Sequence, residues 1–261
     1  MTNDIHFVEF NMYQGGKGYY YLNPSEFPIN SDLDFLNIKL TRGEDVRIYP
    51  IYRQAAMMYG NRSGYMSHHG CACCSIASIL AAHRPAMQNY MPQDIVSIIE
   101  PEVLSTVEWA KNYNKEFRKQ MPLSLKGISQ IMKYYGIEHR YIATFKTRFL
   151  KARMLNHLLK GKPIIIETSR VRYNGPFPVS IRDRKYAASY HTMIILGIEE
   201  DHKTVWVTDS ATRAWSGKMQ RIKRVQLKDI ANYMFASRDP ENEHPYFVDR
   251  RHTGGFILVD E

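Results

Sequence analysis

The fold of this chain is decided by residues 68–77, which read His68-His69-Gly70-Cys71-Ala72-Cys73-Cys74-Ser75-Ile76-Ala77. From Cys71 to His83 apolar residues recur at spacings of three and four, and Pro85 ends the run, so the pattern predicts an amphipathic helix. Cys71 would open this helix. Backbone N–H groups and the helix dipole at such a position stabilise a thiolate and lower a cysteine pKa from about 8.5 into a reactive range.

Of the three cysteines in this stretch, Cys71 is the candidate nucleophile. Cys73 and Cys74 fall on faces of the helix that should pack, whereas Cys71 precedes the first turn, where we expect an exposed thiolate. All three could instead be small buried hydrophobic residues, as free cysteines often are. A structural zinc site is a further alternative, because His68 and His69 are adjacent. Such sites normally use separated pairs of ligands, so we expect no metal.

A thiol nucleophile needs a base, and the base needs a group that orients it. His191 opens an apolar strand, and a second strand ends at Thr208, directly before Asp209. If the two strands pair antiparallel around a turn at 199–203, Asp209 returns beside His191 and can hold one ring nitrogen. The alternative is a strand-capping histidine and an unrelated turn aspartate. The arrangement favours Cys71, His191 and Asp209 as a catalytic set.

The remaining pattern predicts an α+β protein in one domain, with helices first and strands mostly later. Residues 1–50 are typical of a β-rich or irregular segment. Further helices are predicted around 92–99, 101–117, 124–135, 154–160 and 227–235, and strands at 139–143, 164–166, 191–198, 204–208 and 255–259. After Asp209 we expect a loop that leads to the last of these helices.

Composition limits the partners and the compartment. The net charge of +9 would suit nucleic acid, an anionic surface or an acidic substrate, but the basic residues are scattered and no nucleic-acid motif accompanies them. The sequence has no run of about 18 apolar residues, so no membrane span is predicted. Residues 1–14 do not resemble a secretory signal, and cysteines confined to 71–74 cannot form a disulfide framework. We expect a cytoplasmic protein, with leaderless export left open.

The stretch Gly70-Cys71 with Ser75 and Ala77 resembles the nucleophile motif of the bacteriocin-processing (double-glycine leader) peptidase-like group of papain-fold enzymes. The resemblance covers roughly 53–212. Four further pieces follow in the family's order, namely Leu125-x-x-Ile128…Tyr135-Gly136-Ile137, Leu158…Gly161-Lys162-Pro163-Ile164-Ile165, His191-x-x-x-x-x-Gly197 and Val207-x-Asp209.

This resemblance implies a papain-like cysteine peptidase fold, in which a helical lobe with the nucleophile helix packs on an antiparallel β-sheet. Within a single domain overall, we expect a β-rich or irregular N-terminal extension, 1–50, and a papain-like catalytic domain, 51–261. It also implies a Cys71–His191–Asp209 triad in a cleft.

Two further implications of the resemblance concern residues around the nucleophile. An upstream glutamine of the family helps to form the oxyanion hole, and the match is Gln54, 17 residues before Cys71. The family's small residues after the nucleophile are replaced by Cys73 and Cys74, which indicates altered or redox-regulated activity.

The predicted function is therefore thiol-dependent hydrolysis of a peptide or amide bond through a thioester, with no cofactor. The partner is a peptide or protein substrate. The basic loop 170–185, just before His191, favours an anionic substrate, unless it is only a solvated loop. Two alternatives keep the same scaffold: an acyltransferase of transglutaminase-like or phytochelatin-synthase-like type, and a catalytically inactive binding module. The sequence does not indicate an oligomeric state.

Overall fold

A computed structural model describes residues 7–23, 35–54, 66, 69–83, 123–143, 149–168, 191–210, 222–232 and 255–260. The strands in these ranges are β1 (Phe7–Gln14), β2 (Tyr20–Leu22), β3 (Phe35–Arg42), β4 (Asp45–Tyr52), β5 (His139–Ile142), β6 (Ile164–Thr168), β7 (His191–Ile198), β8 (Thr204–Thr208), β9 (Ile222–Gln226) and β10 (Gly255–Val259). The helices are α1 (Cys71–His83), α2 (Leu125–Tyr134), α3 (Leu150–Leu158) and α4 (Leu227–Asn232). The helices predicted at 92–99 and 101–117 and the basic loop 170–185 lie outside the described residues.

The strands form two sheets. The first has the order β2-β1-β3-β4, and its β1–β3 pair is parallel while the other two pairs are antiparallel. The second has the order β5-β10-β6-β7-β8-β9, with every neighbouring pair antiparallel. The α+β prediction is confirmed. None of the helices within the described ranges is long and apolar enough to cross a membrane.

Helix α1 lies in the main hydrophobic core, where it packs against β4 of the first sheet and β7 of the second. Every residue of α1 except Ala82 is buried. The predicted bounds of this helix are confirmed, but the prediction that it is amphipathic is wrong. A helix covered by a sheet on more than one side is apolar around most of its circumference, and its small residues allow the close approach.

The opposite face of the second sheet carries a separate core. Helix α3 contributes Met154 and Leu158 to it, and α4 contributes Leu227 and Ile230. Helix α3 begins about one turn earlier than the predicted start at residue 154, because Leu150 is also buried in this core. The second sheet is therefore covered on both faces, and its central strands β6, β7 and β8 are buried along their whole length.

The two sheets approach closely at Gly197 on β7. A Cβ atom at this position would lie 2.7 Å from Cδ1 of Leu22 and 2.8 Å from Cε of Met12, two residues of the first sheet. A side chain here would overlap its neighbours. This contact explains why a glycine lies at this point of a strand whose other residues have larger side chains.

Gly70, directly before α1, is a second position where a side chain does not fit. A Cβ atom there would lie 2.4 Å from the backbone oxygen of Met66, which accepts a 2.8 Å hydrogen bond from the Gly70 N–H. We expect Gly70→Ala to lower the free energy of unfolding by about 1–3 kcal/mol, the usual cost of overpacking. Denaturant unfolding measures the effect. Gly16→Ala is the control, because nothing lies within 4 Å of its Cβ position; an equal loss in both variants would contradict the steric explanation.

Candidate active site

His191 and Asp209 are brought together by the hairpin of β7 and β8. His191 is the first residue of β7, and Asp209 follows the last residue of β8. The strands pair antiparallel, with Ile194 opposite Thr208, so the end of β8 lies beside the start of β7. Nε2 of His191 lies 2.7 Å from Oδ1 of Asp209. The strand pairing predicted from the sequence is confirmed.

Cys71, on helix α1, lies next to His191. It is the first residue of the helix, and its side chain is hydrogen-bonded to His191. Since Asp209 occupies Nε2, the ring nitrogen left for the sulfur is Nδ1. Cys71 is only 3% exposed, so the prediction of an exposed thiol is wrong. The physical reason is that the N-terminus of α1 is inserted between the sheets rather than raised above them.

A contact one turn along α1 helps to fix the cysteine against the histidine. Ser75 Oγ donates a long hydrogen bond, 3.5 Å, to the carbonyl oxygen of Thr192. Ser75 follows Cys71 by four residues, and Thr192 is the residue after His191. The helix and the strand that carry the two reactive groups are thereby joined close to the site.

The electrostatics of the site favour a charged imidazole. Burial by itself lowers the pKa of His191, but the charge of Asp209 and hydrogen bonds to Asp209 and Cys71 outweigh it and raise the pKa to about 10. Burial by itself raises the pKa of Asp209, but the charges of Lys223 and His191 outweigh it and hold that pKa well below its usual range. An imidazolium and a carboxylate are therefore the favoured forms of this buried pair near pH 7.

Lys223 is a further charged residue at the site, and sequence reasoning missed it. It lies on β9, a strand that was not predicted, where a loop was expected. Its ammonium group contacts Oδ2 of Asp209, the oxygen that His191 does not use, and its side chain is only 6% exposed. A lysine between apolar Ile222 and Val225 was the available signal, but Arg224 beside it breaks the alternation expected of a half-buried strand.

Gln54 lies next to the aspartate end of the site. Its backbone N–H donates to the carbonyl oxygen of Ser210 at 3.0 Å, and its Oε1 accepts from Ser210 Oγ at 3.3 Å. Ser210 directly follows Asp209, and Gln54 is buried. The structure thus brings the glutamine suggested by the family resemblance to the neighbourhood of Asp209, although it follows a strand of the first sheet.

The other two cysteines are packed, as predicted. Cys73 and Cys74 are 0% and 2% exposed, and all three cysteines are free thiols. Burial, together with the charges of Cys74 and Cys71, raises the pKa of the Cys73 thiol well above its ordinary value. Within the part of the chain that the structure describes, no three His, Cys, Asp or Glu side chains group closely enough to hold a metal ion. His68, named in the zinc alternative, lies outside that part.

A cysteine at a helix start, joined to a histidine that is joined to an aspartate, is an arrangement typical of thiol hydrolases. The model of the Peptidase_C39 like family matches residues 47–237, and the chain belongs to this family. It is therefore a member of the papain-like cysteine peptidase superfamily, in the bacteriocin-processing group, and a cysteine peptidase-type enzyme. The predicted papain-like fold is confirmed. No curated protein matches the sequence.

The family match begins at residue 47, within β4. The same strand runs across residue 50, the predicted boundary between the extension and the catalytic domain. The strands β1, β2 and β3 precede the match. The division into an extension, 1–50, and a catalytic domain, 51–261, stays a prediction.

Proposed function

We propose that the protein cleaves a peptide or amide bond through a thioester on Cys71, with His191 as the base and acid and Asp209 as the residue that orients His191. The observation that carries the proposal is the continuous series of hydrogen bonds from Cys71 to His191 to Asp209. Cys71 comes from a helix, His191 from a strand and Asp209 from the residue after a second strand, and all three are buried. Charges there act in a low effective dielectric, where they are strongest.

The proposed reaction starts from a thiolate and an imidazolium. The Cys71 sulfur attacks the carbonyl carbon, and the carbonyl oxygen becomes an oxyanion. As the C–N bond breaks, His191 gives its Nδ1 proton to the leaving amine, which leaves a thioester. His191 then takes a proton from water, the hydroxyl adds to the thioester carbon, and the carboxylic acid departs as the thiolate reforms. Asp209 keeps the other ring nitrogen protonated throughout.

We propose that the oxyanion is held by the Cys71 backbone N–H and the side-chain amide of Gln54. The support for Gln54 is its burial and its two hydrogen bonds to Ser210, which restrain both its backbone and its side chain. Because Oε1 accepts from Ser210, the amide nitrogen is the end of the side chain that can donate. An oxyanion-hole donor contributes roughly a hundredfold or more to the rate.

Three broader features belong to the same proposal. The net charge of +9 supports an anionic peptide or protein as the substrate. The free thiols support action in a reducing compartment such as the cytoplasm. The extension, 1–50, would support the catalytic domain, 51–261, because its strands share the main core with α1.

The test is mass-spectrometric mapping of iodoacetamide labelling near pH 6. We expect fast labelling of Cys71 in the wild-type protein and a fall of about a hundredfold or more in His191→Ala, because the thiolate loses its imidazolium partner. Cys73 and Cys74 should label slowly in both proteins. His139→Ala is the control, since His139 lies on β5 at one edge of the same sheet, three strands from β7. Equal labelling of the three cysteines, or labelling that is independent of His191, would contradict the proposal.

A further inference from the structure

Lys223 is a buried cation next to the proposed triad, and the proposed reaction does not use it. It lies on β9 opposite Val207 of β8, two residues before Asp209. Its side chain is 6% exposed, and the Asp209 side chain that it contacts is 0% exposed. Lysine is almost never buried to this extent unless a partner compensates its charge, so the position needs a physical reason.

The two oxygens of Asp209 are divided between two cations. Oδ1 bonds to Nε2 of His191, and Oδ2 contacts Nζ of Lys223. A carboxylate held at one oxygen only can turn about its Cβ–Cγ bond, whereas one held at both has a single orientation. Lys223 therefore restrains the acceptor on which the orientation of the His191 ring depends.

The charges around the aspartate also form an alternating series. When Cys71 is ionised, Cys71 and Asp209 are negative and His191 and Lys223 are positive, so the four groups sum to zero. Cys71, His191 and Lys223 lie on α1, β7 and β9, and Asp209 directly follows β8. Without Lys223 the remaining three would sum to −1, in a place where burial favours the protonated form of Asp209.

We propose that Lys223 is a positioning residue of this site: its ammonium group holds Oδ2 of Asp209, so that an ionised Oδ1 faces Nε2 of His191. The proposal rests on the proposed function, because it assigns Lys223 a role through His191. It goes beyond that function in adding a fourth charged residue, contributed by a strand that carries none of the other three.

The first test is the pH profile of Cys71 labelling in Lys223→Met. With the cation gone, Asp209 takes up a proton at a higher pH than in the wild-type protein, and a neutral Asp209 no longer supports the imidazolium. We expect the rise of labelling with pH to move up by one pH unit or more, and the rate at pH 6 to fall about tenfold or more. Lys228→Met is the control, because Lys228 is exposed on α4.

The second test compares Asp209→Asn with the double variant Asp209→Asn, Lys223→Met. In the single variant the Lys223 ammonium group still needs a hydrogen-bond acceptor, and we expect the asparagine oxygen to face it. The asparagine NH2 group then faces Nε2 of His191, so the ring loses its acceptor. In the double variant that oxygen can face His191 again. We expect the double variant to label Cys71 at least tenfold faster than Asp209→Asn. The double variant removes both the carboxylate and the ammonium group, so neither charge is left buried without the other. It therefore remains informative if Lys223→Met does not fold.

The outcomes separate the two proposals. Wild-type labelling that does not depend on His191 overturns the proposed function and, with it, the role of Lys223. His191-dependent labelling combined with an unchanged profile in Lys223→Met leaves the proposed function standing and overturns the positioning role. Equal rates in Asp209→Asn and the double variant also overturn it, because a lysine that only fills space would not set the orientation of the asparagine.

Discussion

Replacing Cys71 by alanine is expected to lower the rate of peptide-bond cleavage by about 10⁴-fold or more. The expected loss is large because the sulfur forms the covalent intermediate, and members of a catalytic triad act as a unit, so His191 and Asp209 cannot compensate. The residual rate would come from substrate binding and oxyanion stabilisation alone. The substitution removes one buried atom from a helix start, so the fold should persist.

The measurement is turnover of quenched fluorescent peptides, first screened with the wild-type protein and then followed with each variant. Cys73→Ala is the matched control: it removes the same atom from the same helix, in the core, where the thiol is 0% exposed. We expect this control to lose stability but to keep its turnover within a few fold. If Cys71→Ala retained turnover, or if a folded Cys73→Ala lost as much, Cys71 would not be the nucleophile.

The elements that the sequence predicts best are those whose signals are local. Helix α1 and the strands β7, β8 and β10 have the bounds expected from their apolar runs and from the glycine or charged residues that flank them. The residues of the proposed triad could be named for the same reason, since Cys71 and His191 each begin a regular element and Asp209 follows one. A candidate reactive residue at the end of a helix or strand can be recognised from one continuous stretch of sequence.

What the sequence did not predict depends on contacts between distant segments. The parallel pairing of β1 with β3 joins strands from separate stretches, and nothing local specifies it. The burial of Cys71 follows from the two sheets that enclose α1, which the helix's own periodicity does not reveal. Lys223 was overlooked because a buried lysine and an exposed one look alike until the carboxylate that pairs with it is placed.

The pKa shifts of His191 and Asp209 contribute to the stability of the folded protein by an amount that depends on pH. In the wild-type protein the pKa of His191 is raised to about 10, so its contribution to stability is fully present below its unfolded value of about 6.5 and is lost as the pH rises through about 10. The pKa of Asp209 is depressed, so its contribution is present above its unfolded value and is lost only in strong acid. Between about pH 4 and 6.5 both contributions are therefore present.

Replacing Asp209 by alanine is expected to lower the free energy of unfolding at pH 6 by about 3–5 kcal/mol, the usual effect of removing one partner of a buried ion pair. The substitution leaves Lys223 and His191 as buried cations without the carboxylate that both contact. Without Asp209, the two largest contributions that raise the pKa of His191 are gone and burial opposes the charged ring, so we expect charging the ring to cost stability. Cys71 labelling near pH 6 should fall together with stability.

The measurement is denaturant unfolding of Asp209→Ala and the wild-type protein between pH 5 and 9. The stability difference between the two proteins should grow as the pH falls below about 6.5, because the variant must then protonate His191 in a buried place or expose it. The difference should shrink as the pH rises toward about 10, because the wild-type protein then loses the stability that its charged His191 contributes. Asp229→Ala, on the half-buried side of α4, is the control and should change stability by less than about 1 kcal/mol. A difference for Asp209→Ala that is small or constant across this range would mean that the ion pairs around Asp209 do not hold the site together.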